Sequence, residues 1–292
     1  MEKNYVLFID SDSDITLKQA KEKGVEMISM PYIIDDKEIY PYKDFEEFDS
    51  KPFYDLLRKG TLPKTCGLSP VVYEEYFEPF FKQGKDILYA HLSTNMTGSI
   101  SALMLAVKEL KEKYPLRRFE MIDTKGVTAI SYVIDMEIIK LYEQGKSIDE
   151  ILAWAKEEID HFACYFYADD LKFFGRSGRV SGLASFMGNV IGLRPLITIN
   201  SEGRMDSCGK AVGRNAAIKK VLGYVEELQD HMEDYTICVG HSDNIALAHR
   251  CGLELKKKYG DDLKIDYVVV NPTIGSHCGP DCVGVAFHAK HR

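Results

Sequence analysis

Asp86-Ile87-Leu88-Tyr89-Ala90-His91-Leu92, then Ser93-Thr94-Asn95-Met96-Thr97-Gly98-Ser99, then a run to Lys113 rich in Leu, Ala, Lys and Glu: this stretch decides the fold. A short, nearly continuous apolar segment suits a strand covered on both faces, as parallel strands are. The polar segment interrupts it, and the run after it is a strong helix, about 99–113. The same strand–loop–helix order recurs on either side. Upstream, Tyr5-Val6-Leu7-Phe8-Ile9 leads into Asp10-Ser11-Asp12-Ser13-Asp14 and a helical pattern over 15–23, which an Asp or Ser of that turn can cap. Residues 25–34 read as the next strand and 45–59 as a helix with Phe45, Phe48, Phe53, Leu56 and Leu57 on one side. Downstream, Phe119-Glu120-Met121-Ile122-Asp123 reads as a strand and 129–144 as a mostly apolar helix. Such repetition predicts an α/β fold with a doubly wound parallel sheet.

Ser147-Ile148-Asp149-Glu150 opens a new helix, with Ser147 as cap and Glu150 as its box partner. The pattern then changes. Strands are expected at 162–168, 196–200, 236–239, 265–270 and 283–288, with helices near 212–233 and 245–258 and a hairpin-like turn at Ser201-Glu202-Gly203. The expectation is an N-terminal α/β domain over 1–146 and a C-terminal mixed α/β domain over 147–292, without internal repeats.

The chain has 292 residues, room for two such domains, and 45% of them are hydrophobic, enough for a sizeable core. Its net charge of −8 argues against nucleic acid, whose phosphates would be repelled, and against a polybasic grip on an anionic membrane. Cys66, Cys164, Cys208, Cys238, Cys251, Cys278 and Cys282 are odd in number and irregularly spaced, which points to a reducing cytoplasm rather than a disulfide framework. Met1-Glu2-Lys3-Asn4 runs straight into the first strand, without a signal peptide, and no apolar run reaches the roughly 18 residues of a membrane span.

Four clusters are candidates for chemistry. In open α/β sheets ligands sit beyond the carboxyl ends of strands. There Ser93, Thr94, Thr97 and Ser99 place hydroxyls just before a helix N-terminus, whose free N–H groups suit an anionic head group; singly, each is an ordinary cap. Pro63-Lys64-Thr65-Cys66-Gly67-Leu68-Ser69-Pro70 restricts the backbone and offers the hydroxyls of Thr65 and Ser69; alone it is a turn before a helix. Gly175-Arg176-Ser177-Gly178-Arg179 brings paired arginines to a phosphate or carboxylate, or is a solvated basic turn. In Pro272-Thr273-Ile274-Gly275-Ser276-His277-Cys278-Gly279-Pro280 the imidazole can donate to a carboxylate, and glycines on both sides imply that something approaches closely. His277, Cys278, Cys282 and His288 invite a metal, but Cys-x3-Cys lacks the second pair of a usual zinc site, so no metal is expected. Cys66 has no identifiable base beside it and reads as a small buried residue. Without a Gly-x4-Gly-Lys-Ser/Thr loop, an autonomous nucleotide kinase is not expected.

In order, and over residues 4–290, these segments resemble the DegV family. The family's Asp-Ser-x-x-Asp turn is matched by Asp10-Ser11-Asp12-Ser13-Asp14, and its Thr-Ser-x-x-Ser/Pro turn is similar to Thr65-Cys66-Gly67-Leu68-Ser69. Its Ser-Ser-x-Leu-Ser-Gly-Thr loop is matched by Ser93-Thr94-Asn95-Met96-Thr97-Gly98-Ser99, and its Lys-x-Gly-Gly-Arg-Ile/Val-Ser motif by Arg176-Ser177-Gly178-Arg179-Val180-Ser181. Leu193-Arg194-Pro195-Leu196 stands for Ile-Lys-Pro-Ile, and Gly275-Ser276-His277-Cys278-Gly279-Pro280-Asp281 for the closing Gly-x-His-x-Gly-Pro-Gly. Asp281 departs by adding a charge near the expected head group, and Arg214 stands two places beyond Val212, where an arginine is often found.

The resemblance implies a lipid tunnel between the two domains. It implies a fatty-acid carboxylate held by Thr65, Thr97, His277 and Arg179, with Ser93, Thr94, Gly98 and Ser69 supporting. Ala184-Ser185-Phe186-Met187 and Val190-Ile191-Gly192-Leu193 are candidates to line the tunnel. It further implies a cytoplasmic bacterial carrier, not an enzyme and without a cofactor. Such a carrier holds one long-chain fatty acid, about C14–C18, whose tail supplies the affinity. It presents the carboxylate to a separate fatty acid kinase, which makes acyl phosphate for phospholipid synthesis. Two alternatives remain open: a phosphotransferase acting on a small hydroxylated substrate through the 175–179 loop, and a regulatory protein that senses lipid without passing it on.

Overall fold

The computed structural model describes residues 3–182 and 192–292, so Ala184-Ser185-Phe186-Met187 and Val190-Ile191, expected in the tunnel wall, lie outside the described residues. In chain order the first half contains β1 (Tyr5–Asp10), a 3-10 turn (Ser11–Ser13), α1 (Leu17–Lys23), β2 (Glu26–Ile28), β3 (Tyr32–Ile34), β4 (Lys37–Ile39), α2 (Ser50–Arg58) and β5 (Lys64–Thr65). It continues with α3 (Pro70–Lys82), β6 (Asp86–His91), α4 (Ile100–Lys113), β7 (Phe119–Asp123), α5 (Ala129–Glu143) and α6 (Ile148–Glu158). The second half contains β8 (Phe162–Tyr167), α7 (Leu171–Ser177), β9 (Val180–Ser181), β10 (Leu193–Ile199), β11 (Met205–Val212) and α8 (Arg214–Leu228). It ends with β12 (Ile237–His241), α9 (Ile245–Tyr259), β13 (Ile265–Val269), α10 (Pro272–Cys278) and β14 (Val283–His288).

The fold is α/β, with one parallel and one mixed sheet. The parallel sheet has the order β2-β1-β6-β7, and β1 is buried along its whole length, as a strand covered on both faces must be. The mixed sheet has the order β13-β12-β14-β8-β10-β11-β9; β12 pairs parallel with β13 and antiparallel with β14. A small antiparallel sheet, β4-β3-β5, carries Thr65 opposite Tyr32. Helix α5 is buried on nearly every side, from Ala129 to Tyr142, and packs on β1 as well as on β8, β12 and β14. One buried cluster therefore runs from Tyr5 and Phe8 through Ile130 and Ile134 to Phe162, Phe174, Cys238 and Ala286. No helix of the described residues is long and apolar enough to cross a membrane.

Several expected elements are resized. The single strand over 25–34 is broken, because the backbone at Met30 bonds elsewhere: its N–H donates to Ser11 Oγ at 2.9 Å and its carbonyl accepts from Thr273 Oγ1 at 2.7 Å. The helix over 45–59 starts only at Ser50, where Asp49 caps it. Thr16, not the acidic turn, caps α1 in a box with Gln19; Asp10 instead caps the 3-10 turn. Ser147 and Glu150 form the expected box. Two segments expected as loops are helical: α7 covers Gly175-Arg176-Ser177, and α10 covers 272–278.

Candidate functional site

The carboxyl ends of β1, β6 and β7 deliver three loops to one place: the Ser11–Ser13 turn, residues 92–99 and residues 124–128. Facing them are Thr65 of β5, the end of α7, and α10. Between these parts lie two adjoining chambers. The inner one is almost wholly apolar, walled by Val127, Thr128, Ala129, Cys164, Phe166, Ile199, Gly240, Val270, Cys278, Cys282 and Val283 among others. The outer one adds Asp12, Met30, Thr65, Cys66, Gly67, Met96, Thr97, Gly98, Ser177, Arg179 and Thr273. Val127, Phe174, Met205, Ile274 and His277 line both, so the apolar and the polar chamber adjoin and share a wall.

Thr65, Thr97, Gly98, Arg179 and His277, separated by as many as 212 residues in sequence, all line the outer chamber. Thr65 Oγ1 and His277 Nε2 are 2.8 Å apart and share a hydrogen bond. Burial, then the guanidiniums of Arg179 and Arg176, push the His277 pKa down to about 4, so the imidazole is neutral at pH 7 and keeps one N–H donor and one acceptor. Thr97 Oγ1 accepts from Ser99 N–H and donates to Ser99 Oγ, both at 3.1 Å, just ahead of α4. Arg176 is a strut: it donates to Leu62 O at 2.8 Å and to Pro63 O, fixing the turn that carries Thr65. Arg179 Nη1 donates to Ser177 O at 2.6 Å, which folds the guanidinium back over its own loop.

Ser93, Thr94 and Ser69 do not line the chambers. Ser93 Oγ donates to Gly203 O at 2.7 Å, tying the β6 loop to the β10–β11 hairpin, and Thr94 Oγ1 donates to Asp123 at 2.6 Å. Ser69 precedes α3 without a side-chain cap bond. The glycines around His277 admit protein, not a head group: a Cβ on Gly275 would meet Tyr54 Oη at 2.6 Å, and one on Gly279 would meet the Phe173 ring at 2.3 Å. The Asp281 carboxylate stays out of the cavity, held by Arg58 (3.4 Å), Arg214 (3.2 Å) and Asn244 (2.7 Å). Arg214 in turn grips both oxygens of Asp169 at 2.8 Å. Burial and the neighbouring Glu38 push the Cys66 thiol up, so it is no thiolate nucleophile.

Sequence reasoning missed much of the wall. Met205 lies on β11, a polar strand that gave no signal, and Phe174 on a helix hidden by its glycine. Thr128, a β-branched residue at φ 55°, ψ −130°, is held there by its N–H bond to Asp12 O at 2.7 Å. Such a conformation costs of order 1–3 kcal/mol and persists only where its surroundings impose it; here it turns the chain from β7 into α5 between the two chambers.

Fold and cavities thus define an α/β protein with one parallel, one mixed and one small antiparallel sheet around adjoining apolar and polar chambers. Residues 5–290 match the model of the DegV family, a family described as uncharacterised. A DegV domain-containing protein of Clostridium perfringens is 30% identical over 286 residues, 98% of this chain and 97% of its own. A stearic-acid-binding protein from Eubacterium ventriosum superposes with a TM-score of 0.85 at 19% identity, covering 98% of each chain. A DegV family protein from Eubacterium eligens, loaded with heptadecanoic acid, gives 0.82 at 19% identity over 98% of this chain and all of its own. The chain belongs to the DegV family.

Proposed function

We propose that this protein binds one long-chain fatty acid, with its tail in the inner chamber and its carboxylate at Thr65, Thr97, His277 and Arg179. The observation that carries the reading is the adjacency of an apolar chamber and a chamber lined by hydroxyls, a neutral imidazole and a guanidinium. The fatty acids bound by the Eubacterium ventriosum and Eubacterium eligens proteins favour the same ligand class. The energetics are adequate. A sixteen-carbon saturated tail brings about fourteen methylenes, and at ~0.8 kcal/mol each the gross gain is roughly 11 kcal/mol before association costs. Donors worth ~1.5–3 kcal/mol each offset the desolvation of the carboxylate and decide which end faces out.

In the same reading the protein is a carrier rather than an enzyme. It presents the carboxylate to a separate kinase that forms acyl phosphate for phospholipid synthesis, in a reducing cytoplasm where its seven free cysteines stay thiols. Native mass spectrometry of protein purified from bacteria tests the ligand. A co-purifying C14–C18 acid, lost on delipidation and regained on adding palmitate, is the expected result. Turnover of a phosphorylated substrate by protein that never takes up a fatty acid would refute it.

A further inference from the structure

Asp12 occupies a free position of the Asp-Ser-x-x-Asp turn, and its carboxyl has no evident work in the fold. It is 3% exposed, lines the outer chamber with Thr65, Thr97 and His277, and its Oδ1 is buried without a hydrogen-bond partner. Its neighbours are used differently. Asp10 accepts from Leu92 N–H at 2.8 Å and from Asp12 N–H at 3.0 Å; Asp14 Oδ1 accepts from Asn271 N–H and Nδ2 at 2.9 and 2.8 Å. Among the described residues no Lys, Arg or His is paired with any of the three carboxyls. A buried carboxylate left in that state, at the polar end of a cavity that takes an anion, would repel the ligand.

We infer that Asp12 enters the site as a neutral acid and donates its proton to the ligand carboxylate, forming a carboxyl–carboxylate hydrogen bond. This rests on the reading of the cavity as a fatty-acid site. Two carboxyl groups close together in a dry site share one proton, because both cannot ionise, and the resulting O–H···O⁻ bond is short and strong. The donor is pre-positioned: Asp12 N–H is tied to Asp10 and its carbonyl to Thr128 N–H at 2.7 Å, leaving only the side chain to turn. The electrostatics agree. Burial, then the charges of Asp10 and Asp14, hold the Asp12 pKa well above the usual carboxylate range. Tyr73 of α3 and Tyr89 of β6 also feel its charge, Asp135 of α5 adds to the acidity around Asp10, and His277 and Arg179 close the other side of the chamber. A nearby ligand anion raises the Asp12 pKa further, so binding takes up a proton wherever free Asp12 is ionised. Affinity is then full at low pH and falls by up to tenfold per pH unit once free Asp12 ionises.

The test uses delipidated full-length protein and palmitate, with calorimetric titrations from pH 6 to 9.5 in buffers of two ionisation enthalpies. The expected result is weakening toward high pH with uptake of up to one proton per palmitate. Asp12→Asn, which keeps an N–H donor of the same shape, should bind within about threefold of wild type at pH 6 with a flattened pH profile, and Asp12→Leu should bind at least tenfold more weakly. A flat wild-type profile without proton uptake overturns the inference. So does an unchanged slope in Asp12→Asn, which assigns the proton to Asp10, Asp14 or Asp135, and so does tighter binding by Asp12→Asn, which means an ionised Asp12. Palmitate failing to bind at every pH overturns instead the fatty-acid reading on which the inference rests.

Discussion

His277 is where the proposed site can be tested most sharply. In His277→Ala the ligand loses the donor that the Thr65–His277 pair presents, either Nδ1–H or the Thr65 hydroxyl that the imidazole orients, worth ~1.5–3 kcal/mol, and at 1.4 kcal/mol per tenfold the affinity should fall about 10- to 150-fold. The protein itself loses the 2.8 Å bond to Thr65, worth ~0.5–1.5 kcal/mol, and gains a ring-sized gap, so the melting temperature should drop by a few degrees as well. His277→Gln separates the two effects, since its amide can both donate and accept where the neutral ring does; its affinity should stay within about fivefold of wild type. The assay is displacement of a fluorescent fatty acid, with a thermal melt on each variant. The imidazole also fixes a pH signature. With its folded pKa pushed down to about 4, it should add no inflection to binding between pH 5 and 8. Its contribution to stability is present above the ordinary histidine value and lost as pH falls through about 4. A folded His277→Ala that binds like wild type, a Gln variant as weak as Ala, or a binding inflection near pH 6.5 that disappears in His277→Gln would refute the role.

Thr97→Val removes a hydroxyl from the outer chamber and the partner of Ser99 N–H before α4; it should weaken fatty-acid binding several-fold and cost ~0.5–1 kcal/mol of stability. Thr65→Val should weaken binding similarly, and unchanged affinity in both variants would remove the hydroxyls from the site. Arg179→Ala should lower acyl-phosphate formation in a reconstituted kinase assay, whereas full activity would make its loop purely structural. The buried acids predict an unusual stability profile. Burial pushes Asp10 and Asp14 up to about 7 and holds Asp135 well above the usual range. Acids raised in this way contribute stability that is complete below about pH 4 and lost as pH rises through 7. Calorimetry should therefore show the apo-protein melting lower at pH 8 than at pH 6, and Asp135→Asn should recover part of the loss; a melting temperature that climbs across that window contradicts the assignment.

What could be read from the sequence follows physical signal strength. β1, β6 and α5 are buried almost throughout, so their apolar runs announced them, and the Ser147–Glu150 box marked its helix without ambiguity. The hairpin turn at 201–203 was legible, but β11 behind it, Met-Asp-Ser-Cys-Gly-Lys-Ala-Val, was not, because most of its side chains are only half buried. α10 was masked by its own punctuation. Pro272 at its first turn and Gly279 just past its end are start and stop signals, but Gly275 inside it looked like loop until Tyr54 was found packed there. Site residues carried by motif turns were visible; wall residues such as Cys164, Phe174 and Met205 were not, since a cavity-lining side chain has the same chemistry as a core one. Asp12 was in plain view but read only as part of a possible cap and of the opening turn motif.

The helix wedged between the two sheets has a further consequence for how cargo could move. Because α5 is largely buried and one hydrophobic cluster is shared by both halves, parting the halves like jaws would open that shared cluster to water. A tail housed there would enter and leave lengthwise, sliding as a rod does in a sleeve. The barrier to its release would then grow with each carbon withdrawn, rather than being set by one hinge motion.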